Sequence, residues 1–219
     1  MKIALVLAAV CGLASAVDLS SYQVHHKTPL GVDWKGLPIQ VSRKLFSPKN
    51  VPFIEHPAGN ASWLGMNFDF QYIKPVFDTF NSTEIPLITR GESHVTVISP
   101  PEFAVLATAG VTFDQINTFA RQSKIQDSKV TPICLGKEDV LFEGVQKVVY
   151  QILVKAPELI KIREKIFQLY AKKGGNTALF DPQSFWPHIT VGFSSSDLFL
   201  EQGIYKGSNV CYRPITLTK

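Results

Sequence analysis

The sequence lacks the patterns that carry metal, phosphate-loop and duplex-binding chemistry. Only three cysteines and five histidines occur in 219 residues, without a CxxC pair or a tight Cys/His cluster, so we expect no metal site and no cofactor. No glycine-rich phosphate loop with its lysine is present, which argues against an enzyme that activates ends for ligation. The net charge of +4 is mild and is not gathered into the Lys/Arg clusters that duplex DNA requires.

Long hydrophobic runs are also missing, apart from one short run at the N-terminus. Residues 1–16 combine Lys2, an apolar stretch and small residues ending at Ala16, which predicts a signal peptide. No later segment reaches eighteen apolar residues, so we expect no membrane span. The sequence therefore predicts a protein that is secreted or resides in the secretory pathway.

Four residues have interpretations that depend on this export. Asn60 and Asn81 begin Asn-x-Ser/Thr sequons and are candidates for N-glycosylation. Cys134 and Cys211 are the cysteines left after removal of the signal peptide. An even pair in an oxidising compartment favours one disulfide, and two buried free thiols are the alternative.

The rest of the chain divides into two parts by composition. Residues 17–61 are punctuated by prolines, which predicts an irregular N-terminal extension with a short strand at LPIQVS. Residues 62–219 hold the regular patterns and are enough for one full core. Their predicted order is strand, helix, strand, strand, helix, strand, preceded by a helix or turn broken at Pro75. Pro100 and Pro101 are expected to end the first of these strands, and Thr112 with Gln115 forms a capping-box pattern at the start of the first helix. The basic residues of the second helix, at 158–173, include Arg163 and are predicted to form a solvated face of that helix.

Two of the histidines lie in the same short pattern. His94 and Thr96 occur in ESHVTVI, and His188 and Thr190 occur in FWPHITVGF. Both stretches are predicted strands, on which the histidine and the threonine share one face and the aliphatic residues take the other. One copy alone is more simply a structural histidine. Two copies, ninety-four residues apart, indicate a pair with a shared role.

The paired motifs resemble those of the two-histidine (2H) phosphoesterase superfamily, whose members carry two His-x-Thr/Ser-x motifs with hydrophobic x. The resemblance covers about residues 65–193. It implies an α+β fold that is bilobal and pseudo-two-fold, with 2H phosphoesterase-like sheets facing a central groove. It also implies action on cyclic phosphates of nucleotides or RNA ends, or a related cyclic phosphate, without a metal.

The resemblance assigns roles to the four motif residues. His94 and His188 become the catalytic acid and base, since imidazole titrates near neutrality, but the sequence leaves open which is which. Thr96 and Thr190 become phosphate-binding donors at the oxygens where charge builds.

Four further residues are weaker candidates for substrate binding. Arg90 can pair with phosphate if its loop folds over the groove, or can simply lie on the surface. Trp186 and Phe193 can stack on a base, or pack in the core. Tyr150 lies on a predicted central strand and faces either the groove or the core.

We therefore expect a secreted 2H-type cyclic phosphodiesterase, a hydrolase whose partner is a nucleotide or RNA-end substrate and not duplex DNA. The alternative is a non-catalytic secreted binding module for phosphorylated nucleotide or RNA ends. The sequence does not specify an oligomeric state.

Overall fold

A computed structural model describes residues 34–219; the predicted signal peptide, 1–16, and the first part of the predicted extension, 17–33, lie outside the described residues. Within this range the strands are β1 Ile39–Ser42, β2 Leu64–Phe68, β3 Ser93–Ile98, β4 Thr131–Phe142, β5 Val145–Lys155, β6 His188–Phe193, β7 Cys211–Arg213 and β8 Ile215–Thr218. The α-helices are α1 Lys74–Phe80, α2 Pro100–Thr108, α3 Phe113–Gln122 and α4 Pro157–Lys172. This mixture agrees with the expected α+β class.

The strands form one four-stranded sheet and two pairs. The larger sheet has the order β6-β5-β4-β7, while β2 pairs antiparallel with β3 and β1 pairs parallel with β8. The two strands that carry the His-x-Thr motifs, β3 and β6, therefore belong to different sheets. They nevertheless contact each other. Backbone hydrogen bonds between Ile88, just before β3, and Phe193, at the end of β6, join the two sheets there.

The four-stranded sheet is built around the long β4–β5 hairpin. Glu143 and Gly144 both have positive φ, as a two-residue type I′ turn requires, and they set Phe142 opposite Val145. The run from Val148 to Val154 is buried throughout because β5 is a central strand with both faces covered. This hairpin fixes the register of β6, in which Gln151 lies opposite Thr190.

Helices α2 and α3 begin at side-chain caps, and α1, α2 and α4 have a proline in their first turn. Helix α3 has the capping box expected from Thr112 and Gln115. Two helices, not one, separate β3 from β4, because Ser99 and Glu102 form a second capping box ahead of α2. Pro100 begins this helix as well as ending the strand, since proline is favoured in the first turn. For the same reason Pro75 lies at the start of α1 and does not break it.

The prediction that Arg163 belongs to a solvated face of α4 is wrong. Its side chain is only 1% exposed, and its guanidinium donates to the carbonyls of Pro182 and Val97 and pairs with Glu102. These partners are not apparent from helical periodicity, because they come from β3, α2 and the loop before β6. Arg163 thus ties that loop to the helix layer. The other predicted basic residues of α4 are exposed: Lys161, Lys165, Lys172 and Lys173.

The chain after β6 is joined to earlier parts of the fold at two places. A disulfide joins Cys134 on β4 to Cys211 on β7, with a Cα–Cα distance of 5.7 Å. The strand predicted at LPIQVS is present as β1, which pairs with the C-terminal β8. The loop at 194–210 is therefore held at one end by β6 and at the other by the disulfide.

None of the helices at 34–219 has the length and apolar composition needed to cross a bilayer.

Candidate active site

Strands β3 and β6 expose their motif residues as alternation predicts. His94, Thr96, His188 and Thr190 are half-buried. The aliphatic residues between them are buried at 0–1% exposure and anchor each strand in the core: Val95, Val97, Ile189 and Val191. Both motifs therefore keep one partly exposed side facing away from the core, although Nδ1 of His94 is itself buried.

Each histidine shares a cavity with the threonine of the other motif. His188 and Thr96 line a cavity of about 140 Å³, and His94 and Thr190 line a smaller one of about 10 Å³. This crossed arrangement follows from β3 lying beside β6, and it combines one imidazole and one hydroxyl from different halves of the chain in each cavity.

The His188 ring is held at both nitrogens. Nδ1 lies 2.8 Å from the carbonyl oxygen of Trp186, so Nδ1 carries the proton and Nε2 keeps a lone pair. The ammonium of Lys206 lies 3.3 Å from that Nε2 atom. Burial of the ring is the larger cause, and the charge of Lys206 the smaller one, that lowers the pKa of His188 to about 3. His188 is therefore a neutral ring whose free electron pair has a known direction.

A buried carboxylate, Asp197, lies between the two motifs. It accepts hydrogen bonds from the Lys206 ammonium at 2.8 Å, the Thr190 hydroxyl at 3.2 Å and the Arg90 guanidinium at 3.1 Å. Burial alone would raise the pKa of Asp197, but the Lys206 ammonium outweighs it and the pKa is lowered. Asp197 is therefore ionised, and its charge acts on both histidines.

His94 lies in an aromatic environment. Its ring centroid is 4.4 Å from that of Trp63, which in turn stacks on His56 at 3.6 Å. Nδ1 of His94 is 3.6 Å from the Glu92 carboxylate, too far for a hydrogen bond. Burial first, then the charges of Arg90 and His56, lower the pKa of His94 to about 4. Both motif histidines are thus neutral at pH 7, in each case chiefly because the ring is buried.

A family model described as "Swiss Army Knife, 2H phosphoesterase domain" matches residues 62–199. The chain belongs to the 2H phosphoesterase superfamily. The match confirms the resemblance seen in the two motifs and implies a phosphoesterase hydrolase. No curated protein and no solved structure gives a significant match.

The region that the family model matches leaves out one residue of the buried cluster around His188. It includes both His-x-Thr motifs and Asp197, but Lys206 lies seven residues beyond it. Sequence reasoning missed Asp197 and Lys206 because they lie in an irregular loop, where no periodicity indicates burial. It also missed Trp63 and His56, which have no motif of their own.

Within 34–219 no group of three His, Cys, Asp or Glu side chains is placed to hold a metal ion.

The weaker substrate-binding candidates of this 2H phosphoesterase lie in different places. Arg90 and Phe193 line the smaller cavity, and Trp186 lines the larger one. Tyr150 is not brought to the site: it is 5% exposed and stacks on Phe80 at 4.4 Å. The reason is alternation, since its neighbour Gln151 pairs with Thr190 and so takes the site face of β5.

Proposed function

We propose that this 2H phosphoesterase is a secreted, metal-independent phosphodiesterase that hydrolyses 2′,3′-cyclic phosphates of nucleotides or RNA ends, or a related cyclic phosphate. The observation that carries the proposal is the crossed pairing of each motif histidine with the threonine of the other motif. A phosphate held between β3 and β6 would meet both imidazoles and both hydroxyls. This is the set of groups that acid–base cleavage of a phosphodiester needs.

In this mechanism His188 is the base and His94 the acid. The lone pair on Nε2 of His188 takes a proton from water, whose oxygen forms a bond to phosphorus. The bond from phosphorus to one ribose oxygen breaks, and that oxygen receives a proton from His94. Thr96 and Thr190 donate to the non-bridging oxygens, which gain charge as phosphorus becomes five-coordinate. One proton enters and one leaves, so the next turnover requires a proton to pass from His188 to His94 through solvent.

His94 must gain a proton before it can act as the acid. Its pKa of about 4 applies to the protein without substrate. An anionic phosphate beside the ring favours the charged imidazolium and raises that pKa. Substrate binding would therefore load the acid, while His188 remains the ring with the defined lone pair.

The surroundings of His188 support a nucleotide or RNA end as the substrate. The larger cavity has Phe185, Trp186 and Phe199 in its lining, beside Thr96 and His188. Aromatic side chains stack on any base, because every base offers a π-face. We place the base in this cavity and the cyclic phosphate between the motifs, in a groove between two lobes that β3 and β6 would face.

The proposal is tested with purified protein in EDTA and 2′,3′-cyclic AMP as the substrate. His94→Ala and His188→Ala should each lower kcat/KM by about 10²-fold to 10⁴-fold, the range for a general acid or base. Lys161→Ala, an exposed residue of α4, is the control and should keep wild-type turnover. Wild-type rates in both histidine variants would rule the assignment out.

One observation favours the alternative of a non-catalytic binding module for phosphorylated nucleotide or RNA ends. The Thr190 hydroxyl and Nε2 of His188 are both already in contact with loop residues, Asp197 and Lys206. A binding module would be stabilised by 2′,3′-cyclic AMP without releasing product, and His94→Gln and His188→Gln would bind it as the wild type does. If the wild-type protein releases product, that result is enough to exclude this alternative.

Secretion and glycosylation are proposed together. Asn60 and Asn81 are both exposed, so a glycan can be attached at either without displacing the core. Expression in a eukaryotic secretory host should yield protein in the medium, with a mass that falls on enzymatic deglycosylation. Asn60→Gln and Asn81→Gln should each remove one glycan.

A further inference from the structure

The loop after β6 buries an ion pair that neither motif requires. Lys206 and Asp197 lie 2.8 Å apart, and both side chains are only 5% exposed. Taking two charges out of water costs several kcal/mol per ion, and the attraction between them often does no more than offset this. Stability therefore gives a weak reason for the pair to be buried here, and its position beside His188 gives a stronger one.

The geometry directs the ammonium of Lys206 at one atom of the candidate base. Nδ1–H of His188 donates to the Trp186 carbonyl, so Nε2 is the acceptor nitrogen, and the Lys206 ammonium lies 3.3 Å from it. A ring held at both nitrogens can neither flip nor change tautomer without breaking a contact.

Asp197 in turn fixes Lys206. Its Oδ1 atom accepts from Lys206 and from the backbone N–H of Leu198, while Oδ2 accepts from Arg90 and Thr190. The carboxylate is thus bound by four donors from three parts of the chain. A lysine side chain has four rotatable bonds, and this anchor restricts them, so that the ammonium stays beside the ring until a ligand takes its place.

We propose that Lys206, fixed by Asp197, is a positioning residue that holds Nε2 of His188 unprotonated and directed into the larger cavity. The proposal rests on the proposed function only for the role of His188 as the base. Adding a proton to Nε2 would place two positive charges side by side and would remove the acceptor of the Lys206 hydrogen bond. His188 therefore stays unprotonated in acid, and it takes a proton from water only after water or a phosphate oxygen has replaced the ammonium at Nε2.

Several other charged groups surround His188, and their effects are smaller or already balanced. His94 faces it from β3, and Asp197 partly offsets the charge of Lys206. Glu138, buried on β4, acts on Lys206 and Asp197. Glu102 and Arg163 line the same cavity but pair with each other.

The test measures His188 itself, by histidine nitrogen NMR as a function of pH, with His188→Gln used to assign the signal. In the wild type the ring should be neutral at about pH 5, with its proton on Nδ1. Lys206→Met should raise the pKa of His188 by about one unit or more, a tenfold change in its proton affinity. Lys161→Met, which removes an exposed charge from α4, should leave the His188 titration unchanged.

Because Lys206→Met leaves Asp197 buried without its main partner, that variant can fail to fold. The double variant Lys206→Met/Asp197→Asn removes both charges, and replacing a whole buried pair is better tolerated than breaking one. The double variant should also show a raised His188 pKa, since the nearer charge and the donor to Nε2 are both gone. An unchanged His188 pKa in either folded variant would overturn the proposal.

Activity gives an independent result. In Lys206→Met the pH optimum of kcat/KM should move upward with the pKa of the base. Asp197→Asn should lower kcat/KM, because it releases Lys206; a rise would mean that the carboxylate occupies the place of the substrate phosphate, and would overturn the positioning role. If the wild type has no turnover, the proposed function fails, while the NMR titration still decides the role of Lys206.

Discussion

The two His-x-Thr motifs have nearly the same sequence, but the fold places them in different surroundings. His188 is held by polar contacts, to the Trp186 carbonyl at Nδ1 and to Lys206 at Nε2. His94 lies against the Trp63 ring, and its Nδ1 has no hydrogen-bond partner among residues 34–219. Two copies of one pattern can therefore supply a base with a fixed lone pair and an acid whose protonation responds to substrate. The division comes from neighbouring elements, not from the motifs themselves.

The largest expected effect that tests this comparison comes from the threonines. Thr96→Ala and Thr190→Ala should each lower kcat by on the order of 10²-fold, because in the proposed mechanism each removes a donor to the phosphoryl oxygens. Steady-state kinetics on 2′,3′-cyclic AMP measures this. Thr118→Ala on α3, an exposed threonine, is the matched control and should keep wild-type kcat. If only one threonine variant lost activity, the crossed pairing of the two motifs would not describe the reacting geometry.

The pH dependence sharpens the difference between the two rings. The base must be unprotonated, so kcat/KM should rise as the pH rises through the His188 pKa of about 3. The acid must be protonated, so kcat/KM should fall as the pH rises through the His94 pKa of about 4. Because kcat/KM reports the free enzyme, its optimum should lie well on the acid side of neutrality.

The optimum of kcat should be higher than that of kcat/KM, since bound phosphate raises the pKa of His94. Rates measured across the acid range, with inactivation checked by returning the protein to neutral pH, give both profiles. A kcat/KM optimum above pH 7 would mean that at least one of the two rings does not have the lowered pKa described here.

A smaller effect is expected on the His94 side alone. A Cβ at Gly65 would lie 2.6 Å from the Trp63 ring and 3.5 Å from Cβ of His94, so Gly65→Ala must displace the indole. Less burial should move the pKa of His94 toward its ordinary value and leave His188 unchanged, and histidine NMR measures both. Gly110→Ala is the control: its Cβ meets no atom within 4 Å, so it should leave His94 alone, although its φ of 73° makes it a strained position. Equal shifts in both histidines would contradict the separation of the two surroundings.

Local patterns predicted the strands of the site well. Alternation placed His94 with Thr96 and His188 with Thr190, because a half-buried strand has a period of two. The capping box at Thr112 likewise predicted α3. Helix α2 was missed because Pro100 was interpreted only as the end of a strand, although proline is also a helix-starting residue.

The remaining errors concern residues whose environment is set by distant parts of the chain. Arg163 follows a surface pattern on α4, yet carbonyl groups from elsewhere bury it. Lys206 and Asp197 lie in a loop whose sequence has no strand or helix periodicity. The pairing of β7 with β4, the Cys134–Cys211 disulfide and the contacts of Asp197 hold that loop against His188.

The most direct test of the account asks which histidine protonates the leaving group. Ribose oxygen needs a proton as it departs, whereas p-nitrophenolate does not, so the two variants His94→Ala and His188→Ala are compared on 2′,3′-cyclic AMP and on a p-nitrophenyl phosphodiester. If His94 is the acid, His94→Ala should recover most of its lost rate on the p-nitrophenyl substrate, and His188→Ala should remain impaired on both. Recovery by His188→Ala and not by His94→Ala would contradict the assignment that the contacts of the two rings support.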